Sequence, residues 1–304
     1  MEFLHKDGQL FRESIDVTVY QTGISAEAVE KDYYVTMILK YLAEKLDFIV
    51  FKGGTSLSKC HKVIKRFSED IDLTIDTSLS QGQKRRVKAA IIEIVDLMGL
   101  EIINLENTRS RRDYNCYAIA YKSVLPSVGE AVQPTVLVET SYIAVSFPIS
   151  VLPVGNYIGS MMEEEAPEAV EKYGLAPFEM KVQGIDRTLA DKVFALCDYY
   201  LLNNVKKHSR HIYDIYKLLP LIPINAQYKL LVEEVRLVRK EASLCPSARD
   251  GIDISTLLKE IIDRAVYKAD YENLTEQLLE EKIDYETAVV ALKKLAELYT
   301  KEYL

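Results

Sequence analysis

The spacing of apolar side chains changes period along this chain. After Ser25, a candidate N-cap, residues 26–44 place Val29, Tyr33, Ile38 and Leu42 at helical spacing. Residues 47–52, DFIVFK, form a short β-rich run closed by Gly53-Gly54. Thr55 is then expected to cap a helix reaching about residue 62, and residues 71–75 predict a second strand. Residues 80–98 spell an amphipathic helix, with Val87, Ile91, Ile94, Val95 and Met98 on one side and Lys84, Arg85, Arg86 and Lys88 near its start. Segments 101–105, 114–121 and 135–142 alternate or run apolar as strands do, and 147–154 is a further candidate. From residue 185 the pattern is mostly helical, over 186–202, 211–219, 226–242, 254–265, 274–282 and 285–299.

That order predicts an α/β half followed by a helical half. No linker, repeat or low-complexity stretch marks the join, only a change of composition after about residue 163. The expected division is 1–175 and 176–304. With 304 residues, 48% of them hydrophobic, the chain can bury a sizeable core.

Charge narrows the functional classes. The 38 Lys and Arg against 46 Asp and Glu give a net charge of −8, so a polyanion site has to be local rather than spread over the surface. Basic clusters at 59–66, 84–88, 109–112 and 206–210 are candidates for a shared RNA track, although each alone is more often a solvated face. The four cysteines, Cys60, Cys116, Cys197 and Cys245, form no close pair, which argues against a CxxC zinc site and for reduced thiols. The opening MEFLHKDGQLFRE lacks the apolar stretch of a signal peptide, and no run approaches the roughly 20 residues of a membrane helix. A cytoplasmic protein with no membrane contact is expected.

The candidate chemistry lies in residues 51–73, FKGGTSLSKCHKVIKRFSEDIDL. A strand that enters Gly53-Gly54 and turns into a helix offers free N–H groups and a partial positive charge to a phosphate. Thr55, Ser56 and Ser58 add hydroxyls and Lys59 a cation, although the spacing is not that of a Walker loop. Taken alone, such a feature is more often a plain turn. Asp70 and Asp72 follow, and residues two apart on a strand face the same way, so the two carboxylates converge where a divalent cation would neutralise them. Alone, that pair is more often a solvated strand edge. A phosphate cradle just upstream of an acid pair is the more specific signal.

The combination matches the nucleotidyltransferase superfamily, and the run resembles the core of the AbiEii/AbiGii toxin family of bacterial abortive-infection and toxin–antitoxin systems. The stretch VEKDYYVT, residues 29–36, resembles that family's opening helix. Glu139, in VLVE, fits the family's third acid on a later strand. Lys192, in LADKVFAL, fits its acid–Lys helix, and Asp214, in SRHIYDIY, fits its Arg-turn-helix-Asp pattern. Two departures are His211, where an acid is common, and Asp191, where Glu is commoner. The resemblance spans about 25–220.

It implies an α/β (α+β) nucleotidyltransferase-type mixed sheet, with a C-terminal helical domain closing the nucleotide cleft. It implies transfer of a nucleoside monophosphate from an NTP to an acceptor hydroxyl, with Mg²⁺ as cofactor and release of pyrophosphate. The acceptor would be the tRNA 3′ end, and a cognate antitoxin would be encoded nearby. Asp70, Asp72 and Glu139 would hold metal, Glu139 having a base role or a plain strand acid as its other readings. Gly53, Gly54, Thr55, Ser56, Lys59 and Ser68 would bind the nucleotide. Lys192 would neutralise the triphosphate, and Asp214 would orient Lys192 or reach substrate; their bland readings are a solvated lysine and a helix-terminal acid. A small-molecule or protein acceptor, or a catalytically silent binding module, are the competing functions.

Overall fold

The structure is a computed structural model that describes residues 2–66, 68, 70–126, 133–240, 242 and 244–299. The chain forms two compact units, Met1–Cys60 with Ser68–Val182, and His61–Phe67 with Gln183–Leu304. The motif run 51–73 is therefore divided, its middle counting with the helical unit.

The first unit opens with α1 (Gly8–Thr22), capped by the Asp7 side chain accepting from the Leu10 N–H. Next comes α2 (Ala26–Lys45), capped by Ser25. Strand β1 (Ile49–Lys52) leads straight into α3 (Gly53–Lys59), and β2 (Ile71–Ile75) follows. Helix α4 (Gln81–Met98) starts at a reciprocal Ser80–Gln83 capping box and stops at Gly99, whose φ of 72° suits glycine. Then come β3 (Glu101–Ile102), β4 (Tyr114–Ala120), β5 (Thr135–Val145) and β6 (Ile149–Val154). Helices α5 (Tyr157–Glu165) and α6 (Pro167–Lys172) precede β7 (Phe178–Gln183).

The seven strands make one mixed sheet in the order β3-β4-β5-β2-β1-β7-β6. β1 runs antiparallel to β2, while β2–β5 and β1–β7 are parallel. Val29, Tyr33, Ile38 and Leu42 of α2 and Val87, Ile91 and Ile94 of α4 join Phe51, Leu73 and Val138 of the strands in one core. The stripe of α4 read from the sequence is its buried face, whereas α2 is buried on nearly all sides.

The second unit holds α7 (Ile185–Leu201), α8 (Arg210–Leu218), α9 (Ala226–Lys240), α10 (Ile254–Asp263), α11 (Lys268–Asp270), α12 (Glu276–Leu278) and α13 (Tyr285–Leu298). α13 lies against α8 and α10, around Ile212, Ile215, Leu258, Ile261, Leu292 and Leu295. Among the described residues no helix is long and apolar enough to cross a membrane.

Three local expectations are corrected. Thr55 is not a cap, because α3 begins two residues earlier at Gly53. Residues 274–282 are not one helix. The chain turns extended at Leu279, which bridges to Arg66, and the Glu280 N–H donates to the Lys65 carbonyl at 3.0 Å. Pairing with a distant segment outweighs local helical propensity there. Helices α1, α5 and α6 and strand β7 were not expected at all.

Candidate active site

Register assembles the first cluster. Lys52 on β1 pairs with Asp72 on β2, Asp72 with Glu139 on β5, and Glu139 with Cys116 on β4. Residues opposite one another in adjacent strands share a face, so these four side chains form one row. Asp70, two residues before Asp72, belongs to the same face, as does Tyr114, two before Cys116.

The electrostatics report the same grouping. Burial, reinforced by Asp72 and Asp70, pushes the Glu139 carboxyl up to about 7, while a hydrogen bond from Tyr114 and the nearby Lys52 pull the other way. Burial, with Glu139, Asp70 and Asp72 adding to it, pushes the Cys116 thiol up to about 11. Burial and Glu139 together raise the Tyr114 phenol. Like charges are gathered here at a cost to the folded chain.

Gly53 brings the phosphate cradle to the acids. Its φ is +79°, and a Cβ built on it would stand 1.9 Å from Asp72 Oδ2. Glycine is required both for the backbone conformation and for the space that the carboxylate occupies. Thr55 and Ser56 are buried. The Thr55 and Ser68 hydroxyls are 2.9 Å apart in a hydrogen bond, and the Ser56 hydroxyl donates to the Gly53 carbonyl at 2.9 Å. Ser68 is thus fastened to the first turn of α3. Lys59 goes elsewhere. Its ammonium pairs with Asp32 of α2, whose other oxygen accepts from the Tyr157 N–H at 3.0 Å.

The carboxylates of Asp70, Asp72 and Glu139 are hard oxygen donors held against their own repulsion, which is the donor chemistry that suits Mg²⁺. Among the described residues, no three His, Cys, Asp or Glu side chains stand ready in metal-ligand geometry. The donor set fits a divalent cation in kind, and the side chains would still have to close on it.

The second cluster lies within the helical unit. Asp214 on α8 is fully buried and accepts from Arg66 Nε at 2.7 Å and from Arg66 Nη2 at 2.8 Å. Lys192 on α7, also buried, donates to the same carboxylate. Burial alone would raise the Asp214 carboxyl, but Arg66 and Lys192 overcome it and hold it well below the usual range. Burial lowers the Lys192 ammonium, and Arg66 adds to that while Asp214 opposes it. His211, on the first turn of α8, is pushed well below its ordinary value by burial and then by Lys192, so it is neutral, and among the described residues its buried Nδ1 has no hydrogen-bond partner.

Asp191 does not join this group. It accepts from Arg187, Gln183 and Arg239, a network that ties α7 to α9. Arg66 and Tyr114 are the residues that sequence reasoning missed. Arg66 was visible only as one member of a basic cluster, and Tyr114 only as the first residue of a strand.

A mixed sheet carrying an acid face beside a glycine-opened helix start defines a nucleotidyltransferase class of protein, and comparison with known proteins agrees. The chain is similar to a solved structure, the MenT4 nucleotidyltransferase toxin Rv2826c from Mycobacterium tuberculosis H37Rv. The TM-score is 0.53 at 17% identity, over 95% of this chain and 89% of that one, a likeness of fold. The profile of the nucleotidyl transferase AbiEii toxin family, type IV toxin–antitoxin system, matches residues 38–294. No curated protein sequence matches. The chain belongs to the AbiEii nucleotidyltransferase toxin family, and its enzyme class is that of an NTP-dependent nucleotidyltransferase.

Proposed function

We propose that this chain transfers a nucleoside monophosphate from an NTP to the 3′-terminal hydroxyl of a tRNA. The acceptor hydroxyl gives its proton to solvent as its oxygen forms a bond to the α-phosphorus, the bond from that phosphorus to the bridging oxygen breaks, and pyrophosphate leaves. The observation that supports this best is the seating of Asp72 directly over Gly53, beside Glu139 in register. Phosphate-binding N–H groups and the carboxylates that would hold a charge-neutralising cation then act on one ligand.

Asp70, Asp72 and Glu139 would hold Mg²⁺, which when bound supplies positive charge to the reacting phosphate. The first turn of α3, Gly53, Gly54, Thr55 and Ser56, takes the role of holding the triphosphate, with Ser68 fixing Thr55. Lys192 takes the role of neutralising departing charge, and Asp214, clamped by Arg66, orients it. Arg66 and Lys192 meet at that one carboxylate, which fixes the direction of the Lys192 ammonium. The setting is cytoplasmic. The type IV system implies an antitoxin, and we place its gene beside that of this chain.

The test incubates the protein with Mg²⁺, each α-labelled NTP in turn, and separate pools of total tRNA, protein and small metabolites. Label on tRNA that is released by 3′-exonuclease is the expected result. Label on protein or on a metabolite replaces the acceptor, and no label anywhere makes the chain a binding module.

A further inference from the structure

We propose that the loop between β3 and β4, together with the start of α4, is the surface on which an RNA strand's phosphate backbone docks on its way to the acid face. The proposal rests on the reading of Asp70, Asp72 and Glu139 as the transfer site. Two basic clusters that are separate in sequence meet here. Lys84 Nζ pairs with Asp113 at 2.6 Å, and Lys88 Nζ donates to both the carbonyl and the hydroxyl of Thr108 at 3.0 Å.

The loop is built rather than loose. Buried Asn115 accepts from the Arg109 N–H at 2.8 Å and donates to the Arg109 carbonyl at 3.1 Å. Arg112 Nη1 donates to the Asn107 carbonyl at 2.8 Å. Yet Arg85, Arg109, Arg111 and Arg112 are exposed. Among the described residues none of the four has a carboxylate within 4.0 Å. In a chain of net charge −8, such a fixed and unneutralised group of guanidinium ions is a local site for polyanions.

The direction of the surface says which polyanion. The loop runs through Arg112 and Asp113 directly into Tyr114, the first residue of β4. Tyr114 is 49% exposed and belongs to the same sheet face as Glu139. A cationic strip that ends on an open aromatic face suits a single strand, whose phosphates lie on the arginines and whose terminal base stacks on the ring. A lipid surface or an acidic peptide offers no base for that ring.

The test measures binding of a 5′-labelled RNA hairpin with a single-stranded 3′ tail to the full chain, by fluorescence anisotropy, without NTP, from 50 to 300 mM KCl. We expect the triple variant R109E/R111E/R112E to bind at least tenfold more weakly, with the slope of log K against log salt falling by about 2–3. Because Arg109 and Arg112 also brace the loop, R85E/R111E is measured beside it and is expected to weaken binding at least threefold. K259E/K293E/K294E, an equal charge change on the helical unit, is expected to change neither quantity. Tyr114→Leu is expected to weaken binding about three- to tenfold at unchanged salt slope. The proposal is overturned by wild-type affinity in both arginine variants, by equal weakening in the helical-unit control, or by absence of RNA binding. Since no nucleotide is present, these outcomes are independent of whether transfer to tRNA takes place.

Discussion

On the sheet, Asp70, Asp72 and Glu139 share one face with Lys52 as the cation in their row, and burial together with mutual repulsion lifts the Glu139 carboxyl to about 7. In the helical unit a single carboxylate, Asp214, is clamped between Arg66 and Lys192 and is held well below the ordinary range. Both clusters are charged and both are sheltered, but they are compensated oppositely. In the sheet cluster carboxylate stands beside carboxylate, whereas in the helical cluster one carboxylate stands between two cations. A fold keeps the first at a cost in stability and leans on the second, which is the pattern expected when the acids serve a ligand and the ion pairs also serve the structure.

The largest effect should come from breaking the compensated cluster. Asp214→Ala leaves Arg66 and Lys192 buried without their shared anion, and a loss of about 3–5 kcal/mol is expected in urea unfolding. A loss below about 1 kcal/mol would remove the contrast. Next comes Gly53→Ala, where the added Cβ meets Asp72 Oδ2 at a backbone φ of +79°. We expect a stability loss of about 1–3 kcal/mol together with at least a hundredfold loss of transfer; full activity would show that Asp72 is not held as described.

The smallest effect has the opposite sign. In the folded chain Glu139 keeps its proton up to about pH 7, against 4.5 for the free side chain. Between those two values the folded state binds more protons than the unfolded one. Stability therefore falls as pH rises through that window and levels off above it. In EDTA at pH 8, Glu139→Gln should be more stable than wild type by about 1–2 kcal/mol, after allowing for solvent screening of this partly exposed group. It should also lose most of the pH dependence between 5 and 8. Thermal melts across that range check both points, and an unchanged profile would contradict the repulsion ascribed to the acid face.

How much of this could be read from the sequence differs between the clusters for a physical reason. Strand periodicity puts Asp70 and Asp72 on one face without any tertiary knowledge, and the glycine pair announces an unusual backbone. That Glu139 lies beside Asp72 depends on strand register, which the resemblance supplied and periodicity did not. The partner of Lys59, Asp32, is 27 residues away on another helix, so a lysine expected at the nucleotide is found in an ion pair. Arg66 reaches Asp214 across 148 residues, and no local pattern encodes that. The long helices α2 and α4 were legible from the helical spacing of their apolar residues. Helix α1, whose buried stripe holds only Phe11 and Ile15 among large apolar residues, was not. The region around Leu279 misled because it follows the pairing with Arg66 rather than its own helix-forming composition.

The most direct test of the central claim is single-turnover transfer of α-labelled NTP by wild type, Asp70→Asn and Asp72→Asn, with unfolding curves recorded on the same preparations. The account predicts labelled product from wild type, a loss of at least a thousandfold in either variant, and variants folded at least as stably as wild type without metal. Transfer at wild-type rates by a correctly folded Asp72→Asn would contradict it.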